Sequence, residues 1–272
     1  MVGLSRKEIM AGWRWWAGLS ARTRIFILAG LGSAVLLLAW AISAAKADAS
    51  LLRTDPDLVP GRPWMMTYAV DEGRGVFRSH CADCHGQDGR GRPSRNAPDL
   101  ADKDWLYGQG DVSDIETVVN YGIRAPNART WNLANMPAYG TPLPYPREKT
   151  IAPLSPGDIK DVIQFLRSIE GRPSDRAAAA RGASIFTDRG GCWDCHSNDG
   201  HGDPAIGAPN LTDDIWLYGD GSDKSLFQSI AQGRAGVCPA WSGRLSPVRI
   251  REVSVYVYSL SHGGAAVQRS AP

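Results

Sequence analysis

The sequence predicts an all-α protein: one apolar anchor helix followed by two tandem copies of a small helical module. Three observations carry that expectation. An uninterrupted apolar run lies near the start, short motifs recur at a fixed interval, and no alternating β-branched stretch is long enough for a sheet. The chain has 272 residues, 43% of them hydrophobic and 21% charged, which excludes both a polytopic membrane protein and a disordered chain. The length also exceeds that of a single small module.

The net charge of +2 is unevenly placed. Residues 1–24 carry Arg6, Lys7, Arg14, Arg22 and Arg24 against Glu8, a net of +4, which leaves −2 for everything after them. Nothing in that remainder resembles the clustered Lys and Arg of a nucleic-acid footprint, so no nucleic-acid partner is expected.

The first element is the run Ile25 to Ala45, which is 21 residues without a charge. As a helix it would be about 31 Å long, close to the hydrocarbon thickness of a bilayer. One membrane span is therefore expected over 25–45. Its basic flank is N-terminal, so the positive-inside rule leaves 1–24 in the cytoplasm and sends the chain after about residue 46 outward. Trp13, Trp15 and Trp16 would lie at or below the inner interface. A cleaved signal peptide is the alternative, because Ala45-Lys46-Ala47 has the small-x-small form of a cleavage site. The apolar run is longer than the usual h-region of about 7–15 residues, which favours a retained anchor. Residues 46–65 hold three prolines and no period, and are expected to be a linker.

Beyond it the chain repeats itself. Cys81-Ala82-Asp83-Cys84-His85 recurs as Cys192-Trp193-Asp194-Cys195-His196, an offset of 111. At the same offset Ala97-Pro98-Asp99-Leu100 matches Ala208-Pro209-Asn210-Leu211, and Trp105-Leu106-Tyr107-Gly108 matches Trp216-Leu217-Tyr218-Gly219. Three motifs in one register indicate a duplicated module, here assigned to residues 66–171 and 172–272. Gly73 and Phe77 precede the first cysteine pair as Gly182 and Phe186 precede the second, four residues apart and so on one helix face. A short helix is expected near Val112–Gly122 and another near Asp223–Gly233. Each copy closes on a helix beginning Leu-Ser-Pro, at Leu154 to Ile169 and Leu245 to Leu260, where serine is suited to the N-cap and proline to the first helical position. Ile159, Val162, Ile163 and Leu166 recur at helical spacing, and Phe165 and Tyr256 occupy matched places. About 100 residues with so few helices cannot bury much core alone.

The filling is suggested by the chemistry of Cys-x-x-Cys-His. Two thiols one helical turn apart reach the two vinyl groups of one porphyrin edge, and the adjacent histidine falls under the iron, the pattern of covalent haem c attachment. A redox dithiol or half of a zinc site uses the same cysteine spacing. Two copies in register on an exported segment favour two covalently attached haem c groups, held through Cys81 and Cys84 and through Cys192 and Cys195.

Each module resembles a class I cytochrome c domain, over about residues 66–262. The resemblance implies His85 and His196 as proximal ligands. It also implies Pro98 and Pro209, each 13 residues after its histidine, as carbonyl acceptors for the ring Nδ1 proton. Met136, in Met136-Pro137-Ala138-Tyr139, matches the distal ligand of that family, so the first haem is expected to be His85/Met136. The second copy has Cys238-Pro239-Ala240-Trp241 there, and no methionine follows Met136. Cys238 therefore accounts for the odd number among five cysteines, either as a thiolate ligand to the second haem or beside an open site. His201 competes for that position but sits in a turn, and His80 and His262 are expected at the surface. Arg124 and Arg234 are candidate partners for haem propionates. Trp105, Tyr107, Trp216 and Tyr218 are candidates for lining the haem edges, and also serve as ordinary core aromatics.

The whole arrangement resembles the dihaem subunit III of cbb3-type cytochrome c oxidases. The segment Gly207 to Gly219 and Pro239-Ala240-Trp241 carry that likeness. It implies a respiratory electron carrier of the bacterial inner membrane with its haem domains in the periplasm. Electrons would come from a bc1 complex or a soluble cytochrome and pass to the catalytic subunits of the oxidase or of another redox complex, without oxygen reduction by this chain itself. The alternatives are an anchored shuttle for a periplasmic dehydrogenase or reductase, and a sulfur-oxidising enzyme working at a Cys238-ligated haem within a basic pocket supplied by Arg234 and Arg244.

Overall fold

The computed structural model describes residues 18–92, 95, 97–141 and 153–262; Trp13, Trp15 and Trp16 fall outside them. Among the described residues the regular structure is helical, with isolated bridges and no strand. Two bodies are present, one ending at Ser50 and one beginning at Leu51.

The first body is built on α1, Ala21–Arg53, a helix of 33 residues and about 50 Å. Its apolar side chains are not covered by protein: Phe26 is 77% exposed and Trp40 70%. A long helix that is apolar all round and unburied is suited to lipid. Residues 46–65 do not form the expected linker. Ala-rich sequence carries α1 on to Arg53, a 3-10 turn follows at Pro56–Leu58, and Leu51 and Val59 are fully buried.

The second body contains α2 (Pro63–His80), α3 (Ala82–His85), α4 (Val112–Tyr121), α5 (Pro156–Ile169), α6 (Arg176–Thr187), α7 (Trp193–His196), α8 (Asp223–Gln232) and α9 (Pro247–His262). Local chemistry fixes their starts. Ser155 accepts from the Asp158 amide at 3.1 Å while the Asp158 carboxylate accepts from the Ser155 amide at 2.9 Å, a reciprocal cap ahead of Pro156. Asp175 caps α6 through the Ala177 and Ala178 amides, and Ser222 caps α8 through Ser225.

Packing departs from the order of the repeats. The closing helix of the first copy, α5, packs on α6 and α8 of the second, and the closing helix of the second copy, α9, packs on α2 and α4 of the first. The matched aromatics follow: Phe77 meets Tyr256 with ring centroids 5.2 Å apart, and Phe186 meets Phe165 at 5.1 Å. Two cores result. One joins Met65, Ala69, Val70 and Phe77 to Val253, Val255 and Val257. The other joins Ile159, Val162, Ile163 and Leu166 to Ile185, Phe186, Leu226 and Ile230. Phe77 and Phe186 are 0% and 1% exposed, and burying each is worth about 1.5–3 kcal/mol.

Both crossings need a glycine. A Cβ at Gly73 would run into the Glu252 carbonyl of α9, and one at Gly182 into the Asp161 carbonyl of α5. Arg251 of α9 locks the first crossing to the end of α1: it donates to the Leu51 carbonyl at 3.0 Å and the Thr54 carbonyl at 2.8 Å and pairs with Glu116 of α4. Residue 171 is therefore a boundary between sequence repeats, but the packing runs across it.

Candidate functional site

Each cysteine pair sits on a single helical turn that places the following histidine against an apolar cavity. In the first, α3 carries Cys84 and His85, and the His85 Nδ1 donates to the Pro98 carbonyl at 3.2 Å. In the second, α7 carries Cys195 and His196, and the His196 Nδ1 donates to the Pro209 carbonyl at 3.0 Å. With Nδ1 engaged, Nε2 of each ring is the atom left to act as a ligand. Burial lowers the pKa of both histidines, which keeps the rings neutral and the lone pair available. Burial, with charge from Cys238 and Cys84, pushes the Cys81 thiol up to about 12, and burial pushes the Cys192 thiol up to about 11.

The His196 cavity encloses about 1230 Å³ of empty space and the His85 cavity about 1390 Å³, mouths included. The residues opposite the histidines are exchanged relative to the expected pairing. Met136, with Pro137, lines the cavity of His196, together with Val162 and Leu166 of α5. Cys238, with Pro239, lines the cavity of His85, together with Val253 and Val257 of α9. A His85/Met136 pair and a His196/Cys238 pair are thus not what the fold brings together.

The backbone shows why. Both α4 and α8 end on a glycine in the left-handed region, Gly122 at φ 74° and Gly233 at φ 69°, where only the lack of a Cβ avoids strain. The residue after Gly122, Ile123, exchanges two hydrogen bonds with Cys238, at 2.9 and 3.0 Å. The residue after Gly233, Arg234, exchanges two with Met136, both at 3.0 Å. Each distal segment is therefore a short ladder on the other copy. The Tyr139 hydroxyl adds a further link across the copies, bonding to the Cys192 sulfur.

Leu106, Tyr107, Arg124, Leu217 and Tyr218 line both cavities and form the wall between them. Trp105 lines only the His85 side, and Trp216 and Arg234 only the His196 side. Arg234 lies over the Tyr218 ring at 4.8 Å and donates to the Ser229 hydroxyl; burial lowers its pKa. Among the described residues, the Trp216 indole Nε1 is buried with no hydrogen-bond partner. An orphaned donor on the wall of an apolar cavity that Arg124 and Arg234 also line fits a ligand that brings its own carboxylates. The thiols, neutral imidazoles, apolar lining and unused donor together fit haem c.

His201 is exposed in its turn, paired with Asp199. His80 and His262 are exposed as expected, yet the His80 ring lies tilted against Trp241 at 5.1 Å and His262 stacks on Trp105 at 6.3 Å. The basic pocket wanted by a sulfur-anion site does not gather at Cys238. Arg234 turns to the other cavity, Arg244 lies on the Trp241 ring, and the His85 cavity carries Asp99, Asp102 and Asp104 beside Arg95 and Arg124. Burial first, then the neighbouring carboxylates, pushes Asp102 up to about 6. Tyr139 and Ile123 were not singled out from the sequence; the only signal for Tyr139 is its place in Met-Pro-Ala-Tyr.

Residues 70–170 match the family described as cytochrome c, and residues 177–257 the family described as cytochrome c oxidase, cbb3-type, subunit III. The chain is 40% identical over 221 residues to the cbb3-type cytochrome c oxidase subunit CcoP of Rhodobacter capsulatus, covering 78% of this chain and 69% of that protein. It is 39% identical over 221 residues to the subunit FixP of a Bradyrhizobium species, covering 81% and 69%. To the subunit CcoP of Cereibacter sphaeroides it is 37% identical over 225 residues, covering 83% and 72%.

Proposed function

The chain belongs to the family of cbb3-type cytochrome c oxidase subunit III, CcoP or FixP, and on that footing we propose that it is the membrane-anchored dihaem carrier that feeds electrons to the oxygen-reducing subunit of such an oxidase. A bc1 complex or a soluble cytochrome is the donor. The anchor lies in the bacterial inner membrane with its N-terminus cytoplasmic and the haem cavities in the periplasm; the net charge of +4 up to Arg24 supports that orientation.

Haem c supplies a one-electron iron couple at each site. Cys81 and Cys84, with His85 and Cys238 lining the same cavity, would hold one group; Cys192 and Cys195, with His196 and Met136, would hold the second. The Pro98 and Pro209 carbonyls fix the histidine rings and raise their basicity. Arg124, Arg234 and the Trp216 indole would serve the propionates, and the aromatic wall would limit access of water.

The observation that carries the function is the wall of Leu106, Tyr107, Arg124, Leu217 and Tyr218 common to both cavities. Redox groups held in two cavities that share a wall would suit transfer through the protein from a donor at one cavity to an acceptor at the other. The test is recovery of the complex. The full chain, tagged at its C-terminus and taken up in mild detergent, is expected to carry cytochrome c oxidase activity with it. Recovery of the dihaem protein free of every oxidase subunit contradicts the oxidase assignment and leaves the anchored shuttle.

A further inference from the structure

Arg124 stands between the two cavities, and its side chain reaches both distal segments. Its Nε donates to the Gly236 carbonyl at 2.7 Å, two residues before Cys238. Its Nη1 donates to the Ala134 carbonyl at 3.1 Å, two residues before Met136, and to the Tyr107 hydroxyl at 3.3 Å. The backbone there is left-handed, with φ 51°, a conformation that a residue with a Cβ holds only when its surroundings impose it. The repeat interval places Ala235 at the equivalent position of the second copy. The contact therefore has no counterpart, and one guanidinium serves two sites.

We propose that Arg124 is a positioning residue that fixes the register of both distal segments at once, so that the Met136 side and the Cys238 side are set by one clasp. This rests on the reading that those two residues face the irons, and it goes beyond a role in binding propionates. The position uses directed donors on separate nitrogens: Nε and Nη1 of one planar group reach three acceptors, whereas an ammonium carries all its donors on one nitrogen. Lysine keeps the charge but not that reach, so exchange in the two distal segments, and not haem binding, reads the clasp.

The experiment uses the full-length holoprotein with Arg124→Gly and Arg124→Lys, with haem content confirmed. Glycine suits the left-handed backbone, so that variant keeps the fold while removing the side chain. Amide hydrogen exchange in peptides covering 131–137 and 235–241 is expected to be at least about tenfold faster in both segments of Arg124→Gly, as follows from losing charge-assisted hydrogen bonds. Lysine is expected to leave both segments loosened. The distal-ligand bands of both haems should shift in both variants. Loosening of one segment only, or rescue of both by lysine, overturns the clasp. Exchange is read in wild type and variant alike whether or not either residue ligates, so a wild-type spectrum with no methionine-to-iron band would fault the ligand reading and leave the exchange result to decide the clasp.

Discussion

Gly182→Val and Gly73→Val are each expected to lower the thermal midpoint of the second body by about 6–12 °C. The reason is backbone proximity. At Gly182 the α6 helix lies against the Asp161 carbonyl of α5, and at Gly73 the α2 helix lies against the Glu252 carbonyl of α9, with Tyr256 Cβ 3.0 Å from where a side chain would begin. The nearest atoms at both sites are main-chain atoms, which cannot swing aside as a flexible side chain can. Overpacking of this kind costs about 3 kcal/mol, and a body of this size loses about 2–4 °C per kcal/mol. Gly75 provides the control: nothing lies within 4 Å of a Cβ there, so Gly75→Ala should leave the midpoint unchanged or slightly raised. Circular dichroism melts of the holoprotein in detergent check all three. A midpoint that Gly73→Val leaves unmoved would mean that α9 does not cross α2.

Cys238→Met is expected to raise the potential of one haem and leave the other nearly unchanged. A thiolate is an anionic donor that favours ferric iron, and a thioether is neutral and favours the ferrous state. Axial ligands set haem potentials over a range of roughly 0.8 V, so a rise on the order of 0.1–0.3 V is the expected scale. Since Cys238 lines the His85 cavity, the haem that moves should be the one attached at Cys81 and Cys84. A redox titration followed by electron paramagnetic resonance reads this directly. Two unchanged potentials would show that Cys238 binds neither iron.

Much of this was legible in the sequence because it is local. The cysteine pairs, the Ser-Pro helix starts, the helices at 112–121 and 223–232 and the histidine-to-proline hydrogen bonds all depend on residues within a few turns of one another. The exchange of halves was not legible from the motifs. Gly73 and Gly182 are equivalent, Phe165 and Tyr256 are equivalent, and both closing helices begin Leu-Ser-Pro, so a helix finds the same chemistry in its own copy or in the other. One signal did point to it. Only six residues separate Ile169 from Arg176, and helices joined by so short a connection pack as antiparallel neighbours. That pairs α5 with α6 and leaves α9 for α2. The linker was misread because its prolines hide behind an Ala-rich continuation of α1, and because Leu51 and Val59 are core residues that no periodic neighbour marks. Arg124 was picked out for its charge, while its grip on Gly236 and Ala134 depends on chain segments more than 100 residues apart in one case.

The exchanged pairing is tested most directly by removing one haem at a time and following the weak methionine-to-iron charge-transfer band of the oxidised protein. With Cys192 and Cys195 both replaced by alanine, the remaining haem faces Cys238 and the band should vanish, although Met136 is intact. With Cys81 and Cys84 replaced instead, the remaining haem faces Met136 and the band should persist. The reverse pattern, loss of the band with the first haem and survival with the second removed, would show that each copy supplies its own distal ligand and would contradict the exchange.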